Sequence, residues 1–212
     1  MIPVVRPTEP VRFDAECRQP GQRWQRANAS AKRPRALWAP FTAELADAFQ
    51  NLCGYSALID HTGGTVDHYL SVKARPDLAY EWSNYRFANQ AMNASKRNAD
   101  AQVLDPFEIG EGWFEVILPS MQLRMTELVP QSLRAKAEFT LDRLGLRHGE
   151  RVVRARRAWF AMYQSGELTL AGLRLCAPLV AAAVDKTTSR ASPRRPRSRT
   201  QGQTPSVVPR RP

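Results

Sequence analysis

The chain has 212 residues, of which 43% are hydrophobic and 24% are charged, which is typical of one globular domain with its own core. This length is too short for two domains that would each bury a full-sized hydrophobic core. The formal net charge is +11, and it is unevenly distributed: residues 186–212 hold eight Lys and Arg and no acidic residue, which leaves 23 basic against 20 acidic residues in the remainder. The C-terminal tail therefore supplies most of the charge.

A basic tail favours an anionic partner, and nucleic acid is the first candidate. A solvated, disordered tail that maintains solubility is an equally good interpretation of the same composition. The three cysteines are far apart and form no CxxC pair: Cys17, Cys53 and Cys176. Their spacing argues against a disulfide framework and against a complete cysteine zinc site, and a reducing cytoplasmic location is the simplest expectation.

No membrane association or export is expected. The first ten residues place proline and arginine where a signal peptide needs an apolar run. The longest apolar-rich run, residues 168–184, contains Arg174 and Pro178 and is too short to span a bilayer comfortably.

Residues 1–36 contain five prolines, and each proline removes a backbone donor and fixes φ. This composition predicts an extended arm, which Trp24 and Trp38 would pin to the core. A helix is predicted from Thr42, because apolar residues then recur at helical spacing, and Cys53-Gly54 would end it.

Two short β-like runs follow, residues 55–59 and 65–69, and the Gly63-Gly64 turn between them predicts a hairpin. Residues 70–81 are predicted to form a loop around Pro76. A helix is predicted from Asn84 to about Arg97. The expected local order is thus strand, strand, loop and helix.

The second half of the chain predicts a hairpin and then helices. Alternating apolar residues favour strands at 113–118 and 121–127, and Pro130 would open a helix that stops at Gly145. A second helix is predicted over residues 150–164, and a third over 168–186, broken at Pro178. The globular domain is predicted to span residues 37–186, and residues 187–212 are predicted to be disordered because they offer almost no apolar surface to bury.

The stretch from Val66 to Asn98 carries the chemistry. Hydrolysis of a phosphodiester needs an activated water, a cation near the phosphorus and a hold on the backbone. A neutral imidazole, His68, suits the first task. Asp67 and an asparagine amide supply the hard oxygen ligands that Mg²⁺ prefers. Lys96 and Arg97 would hold backbone phosphates, although cations are also common at an ordinary solvated helix end.

Asp67-His68, then Asn84, then Asn93 with Lys96 one turn later resembles the HNH endonuclease motif, the ββα-metal fold of the His-Me finger superfamily. The gaps of 16 residues from His68 to Asn84 and 9 from Asn84 to Asn93 match that family's pattern. The resemblance covers roughly residues 50–165, with a motif core at 53–98. It implies that His68 activates water, that Asp67 and Asn93 hold Mg²⁺ or Mn²⁺, and that Asn84 braces the loop and the base.

The chain departs from the family in its cysteines. Many HNH proteins carry two CxxC pairs, whereas only Cys53 stands at such a position here, so no structural zinc is expected. A second Asp-His pair, Asp60-His61, is interpreted as part of the predicted turn. Adjacent strand residues point to opposite faces, so Asp67 and His68 can share a metal site only if the strand ends or twists there.

The sequence therefore predicts a mostly helical α+β domain built around a ββα-metal motif, with an extended N-terminal arm and a disordered basic tail. The expected function is an HNH-type endonuclease that cuts DNA, possibly RNA, with a partner protein supplying any specificity. Bacterial genome defence is one context that the resemblance implies. The alternative is a catalytically inactive HNH-fold module that binds nucleic acid or a protein partner.

Overall fold

The computed structural model describes residues 1–31 and 33–191. It has seven α-helices and four strands in these ranges, and short 3₁₀ turns connect several of them. In chain order they are α1 (Gln19–Ala27), α2 (Thr42–Ala48), β1 (Thr65–His68), β2 (Tyr85–Ala88), α3 (Gln90–Lys96), β3 (Phe114–Ile117), β4 (Gln122–Met125), α4 (Arg134–Arg143), α5 (Glu150–Gln164), α6 (Leu170–Cys176) and α7 (Pro178–Ala191).

The strands form two separate antiparallel pairs, β1 with β2 and β3 with β4. In the first pair, Asp67 lies opposite Arg86 and His68 lies opposite Tyr85. The segment that joins β1 to β2 is the loop of residues 69–84, and α3 follows β2 directly and packs on β1. The order strand, loop, strand, helix is therefore centred on the stretch that carries the candidate residues.

The predicted hairpin between residues 55–59 and 65–69 is wrong. Residues 54–56 form a turn, after which Ala57 has φ 53° and its backbone N–H donates to the Cys53 carbonyl at 2.9 Å. The pairing of this region is limited to a single bridge between Leu52 and Ile59. The second predicted strand does exist, as β1, but its partner lies further along the chain.

The predicted helix start at Asn84 is also wrong, because residues 85–88 form β2. All four of these residues are buried, so the strand lacks the alternation of apolar and polar residues that would identify it. Helix α3 begins after Asn89, whose side chain accepts a hydrogen bond from the Met92 backbone N–H at 2.8 Å.

The N-terminal segment is not an extended arm throughout. A π-helical turn spans Asp14–Arg18 and runs into α1, so Pro20, the second residue of α1, lies inside a continuous helical segment directly after the π-helical turn. Phe13 and Cys17 are fully buried. The Phe13 ring packs edge-on against Tyr85 of β2, with ring centroids 5.7 Å apart.

Two clusters of buried side chains form the core. The smaller cluster joins the N-terminal segment and α2 to one face of the β1–β2 pair, through residues such as Phe13, Leu45, Val66 and Phe87. The larger cluster joins the β3–β4 hairpin to the helices of the second half. The predictions for the second hairpin, for α4, for α5 and for the break at Pro178 are confirmed.

Helix α7 continues to Ala191, so residues 187–191, which were predicted to be disordered, are helical. The prediction of disorder for residues 192–212 lies outside the described residues. None of the helices in the described ranges has the length and apolar character needed to cross a bilayer.

The burial of the N-terminal segment generates a stability prediction. Phe13→Ala should lower the free energy of unfolding by about 3–5 kcal/mol, because it leaves a cavity between α2 and the β1–β2 pair. Val11→Ala is the matched control, since Val11 is fully exposed. Denaturant titration measures both variants, and a Phe13→Ala effect as small as that of Val11→Ala would show that the segment is not part of the core.

Candidate functional site

A buried ion pair connects β1 to α3. The Asp67 side chain is 2% exposed and its Oδ1 accepts from Lys96 Nζ at 3.0 Å, while its Oδ2 accepts from the Tyr55 hydroxyl at 2.5 Å. The Lys96 side chain is fully buried, and its ammonium also donates to the His68 carbonyl oxygen at 2.8 Å. Burial, together with the Asp67 carboxylate, raises the pKa of Tyr55 well above its usual value, so the hydroxyl remains a donor. Both carboxylate oxygens of Asp67 therefore have a partner inside the protein.

His68 lies on the other face of the strand, because successive strand residues alternate in direction. Its Nε2 lies 2.9 Å from the Ala79 carbonyl oxygen, and its ring packs edge-on against Trp38 and Tyr85, with centroids 4.6 and 5.0 Å away. Since a carbonyl only accepts hydrogen bonds, Nε2 carries the proton in the neutral ring and Nδ1 carries the lone pair. Burial lowers the pKa of His68 from its usual 6.5, and this also favours the neutral ring.

Asn84 holds the loop that presents the Ala79 carbonyl to His68. Its Oδ1 accepts from the Leu70 backbone N–H at 2.8 Å, and its Nδ2 donates to the carbonyls of Leu70 at 2.9 Å and Leu78 at 3.3 Å. The side chain is thus bonded to the beginning of the loop and to the residue before Ala79. Through these bonds Asn84 is coupled to His68 without touching it.

Asn93 belongs to the face of α3 that packs on β1. Its Nδ2 lies 3.4 Å from the Val66 carbonyl oxygen, the residue before Asp67. Lys96 lies three positions later, which is one helical turn, and so faces the same strand. The fold therefore places Asn93 and Lys96 on the Asp67 side of β1, whereas His68 faces away from α3.

The arrangement does not fit a divalent metal ion. Asp67 is neutralised by Lys96, and Mg²⁺ would have to displace that ammonium from a buried carboxylate. Strand β1 stays paired through His68, so Asp67 and His68 point to opposite faces instead of one centre. In residues 1–31 and 33–191 no group of three or more His, Cys, Asp or Glu is placed to hold a metal.

Lys96 and Arg97 are neighbours in sequence, but Lys96 is buried and Arg97 is exposed to solvent. The prediction that Lys96 holds nucleic-acid backbone required an accessible ammonium, and the structure places that ammonium in the interior. Arg97 is exposed, as a backbone contact requires. His61, the second histidine of an Asp-His pair, is exposed in the turn after Asp60, where the Asp60 carboxylate accepts from the Thr62 backbone N–H at 2.8 Å.

Three groups of the site cannot be identified from the sequence pattern: the Tyr55 hydroxyl, the Ala79 carbonyl and the Trp38 ring beside His68. The pattern predicts a strand at Tyr55, and a backbone carbonyl leaves no signal in a sequence. Trp38 was expected to pin the N-terminal segment to the core, but only the three-dimensional structure identifies His68 as its neighbour.

Comparison with known proteins gives no match, whether with family models, with curated proteins or with solved structures.

The Asp67–Lys96 pair generates a prediction about stability. Lys96→Met should lower the free energy of unfolding by about 3–5 kcal/mol, because it leaves a buried carboxylate without its counter-charge. The double variant Asp67→Asn with Lys96→Met should recover part of that loss, since no buried charge then remains. Chemical denaturation checks both, with Arg97→Met as the exposed neighbouring control. Equal effects of Lys96→Met and Arg97→Met would contradict the buried pair.

Proposed function

We propose that this chain is an HNH-type endonuclease that hydrolyses phosphodiester bonds in DNA, possibly also in RNA, with His68 as the general base. The observation that carries the proposal is the hydrogen bond between His68 Nε2 and the Ala79 carbonyl. It orients the ring and leaves Nδ1 as the basic nitrogen. His68 also keeps part of its surface accessible, whereas Asp67 and Lys96 do not.

The chemistry that these residues support is attack by water on phosphorus. Nδ1 of His68 takes one proton from the water, the water oxygen bonds to phosphorus, and the bond from phosphorus to the 3′ oxygen breaks. The leaving oxygen takes a proton from solvent, and the products are a 5′-phosphate and a 3′-hydroxyl. Ala79 and Asn84 act as positioning groups in this scheme, since they fix the ring and the loop.

A divalent ion, Mg²⁺ or Mn²⁺, is part of the proposal through the resemblance to HNH enzymes, with Asp67 and Asn93 as the implied ligands. Such an ion supplies positive charge at the phosphate. The pairing of Asp67 with Lys96 argues against a metal site in the arrangement described, so no step is assigned to the ion.

The second candidate is a catalytically inactive module of the same fold that binds nucleic acid or a protein partner. The observation that favours it concerns the Asp67 carboxylate. This carboxylate faces away from His68, and both of its oxygens accept hydrogen bonds inside the protein. The net charge of +11 supports binding to an anionic partner whether or not the chain is catalytic.

Nicking of supercoiled plasmid by the purified full chain, with Mg²⁺ or Mn²⁺ and with EDTA, tests the proposal. His68→Ala should lower the nicking rate by about 10²–10⁴-fold, the typical contribution of a general base. His61→Ala is the matched control and should leave the rate unchanged, because His61 is exposed in a turn. His68→Gln, with a side chain closer in size, guards against loss of packing with Trp38.

Nicking by His68→Ala at the wild-type rate, or no cleavage of DNA or RNA by the wild type, would refute the enzyme and leave the binding module. Full activity in EDTA would show that cleavage needs no divalent ion, and it would leave the rest of the nuclease proposal intact.

A further inference from the structure

A concave surface lies where the end of α3 meets α4. It has a volume of about 330 Å³, at the lower end of the range of about 300–1,000 Å³ for small-ligand sites. We call it the Phe139 pocket, and the residues that line it are Arg97, Asn98, Ala99, Gln102, Phe139 and Arg143. The lining holds two guanidinium groups, two amides and one aromatic ring, and it contains no acidic residue.

Phe139 is the unusual member of this surface. It lies on α4 and is 39% exposed, although a phenyl ring normally contributes to burial. The acidic residues that adjoin the lining in sequence are paired elsewhere: Glu138 and Asp142 with Arg147, and Asp100 with Ser71. An exposed ring beside two cationic side chains offers a stacking surface with positive charge around it.

The Phe139 pocket adjoins the end of α3, the helix that carries Asn93 and Lys96. Arg97 follows Lys96 directly, and Arg143 Nη2 lies 3.4 Å from the Lys96 carbonyl oxygen. Arg97 also adopts φ 49° and ψ −121°, a strained conformation for a residue other than glycine, which persists only where the surrounding structure holds it. The end of α3 thus joins Asn93 and the buried Lys96 to an exposed arginine on the pocket.

We infer that the Phe139 pocket binds one unpaired nucleotide of a single-stranded nucleic acid. The base stacks on the exposed phenyl ring, and the flanking phosphates bind the guanidinium groups of Arg97 and Arg143. A duplex keeps its bases stacked on one another, so it can bind the arginines but leaves the ring uncovered. The inference rests on the proposed function for the class of substrate, and it adds the preference for single strands.

Binding in EDTA tests the pocket separately from cleavage. Fluorescence anisotropy would compare a labelled single strand with a duplex of equal length, using the full chain so that the basic tail contributes equally to every variant. Phe139→Ala should weaken single-strand binding about fivefold or more, the lower bound expected for one stacked base, and should leave duplex binding unchanged. Met162→Ala is the matched control, since Met162 is 37% exposed and lies outside the pocket.

Arg97→Gln and Arg143→Gln test the phosphate contacts. Each should reduce the slope of log affinity against log salt for the single strand by about 0.7, the value for one lost phosphate contact. Arg26→Gln, at an exposed position on α1, should leave the slope unchanged.

The inference is overturned if Phe139→Ala binds the single strand like wild type, or if it weakens the strand and the duplex equally. It is also overturned if Arg97→Gln and Arg143→Gln leave the salt slope unchanged. Because binding in EDTA does not require cleavage, a wild type that nicks neither DNA nor RNA but still shows the Phe139 effect would refute the nuclease and leave the pocket standing.

Discussion

The fold around the candidate site depends on one buried ion pair. Asp67 and Lys96 are charged, almost entirely removed from water, and 29 positions apart in sequence. Burial of two charges is costly, and it is tolerated only where geometry and further hydrogen bonds satisfy them. The Tyr55 hydroxyl and the His68 carbonyl provide those bonds. The pair therefore specifies one arrangement of β1, α3 and the turn of residues 54–56.

The same pair determines what the site can do. It holds the Asp67 carboxylate on the α3 face of β1, while His68 projects from the opposite face toward Trp38. The oriented, neutral imidazole of His68 and the carboxylate of Asp67, whose oxygens are both hydrogen-bonded, thus lie on opposite faces of β1. The imidazole supports the nuclease proposal, and the fully bonded carboxylate supports the inactive alternative. This division is a direct consequence of continuous pairing of β1 with β2.

The parts of the fold that could be predicted are those with a strong local signal. Helix α5 matches its predicted range of 150–164, because its apolar residues recur at helical spacing after Gly149, and Pro178 marks the predicted break. Strand β2 could not be predicted, because its four residues are all buried and its partner lies beyond a long loop, so neither periodicity nor a turn identifies it. The five prolines of the N-terminal segment predict an extended arm, but Pro20 is accommodated in a helical segment directly after a π-helical turn.

For the candidate site, the spacing in the sequence predicts some of the contacts around β1 but not the partners of Asp67 and Lys96. Asn93 does contact β1 and Asn84 does hold the loop. The burial of Lys96 could not be predicted, because a lysine at a helix end faces solvent in most proteins. It is buried here because its ammonium pairs with the Asp67 carboxylate.

The protonation of His68 tests the central claim most directly, and nitrogen-15 NMR of the histidine side chains measures it, with His68→Gln for assignment. The predicted result is a neutral ring protonated on Nε2 at neutral pH that titrates with a midpoint below 6.5, because burial disfavours the charged form. A ring protonated on Nδ1, or a midpoint above 6.5, would contradict the account of His68 as a base held ready by the loop.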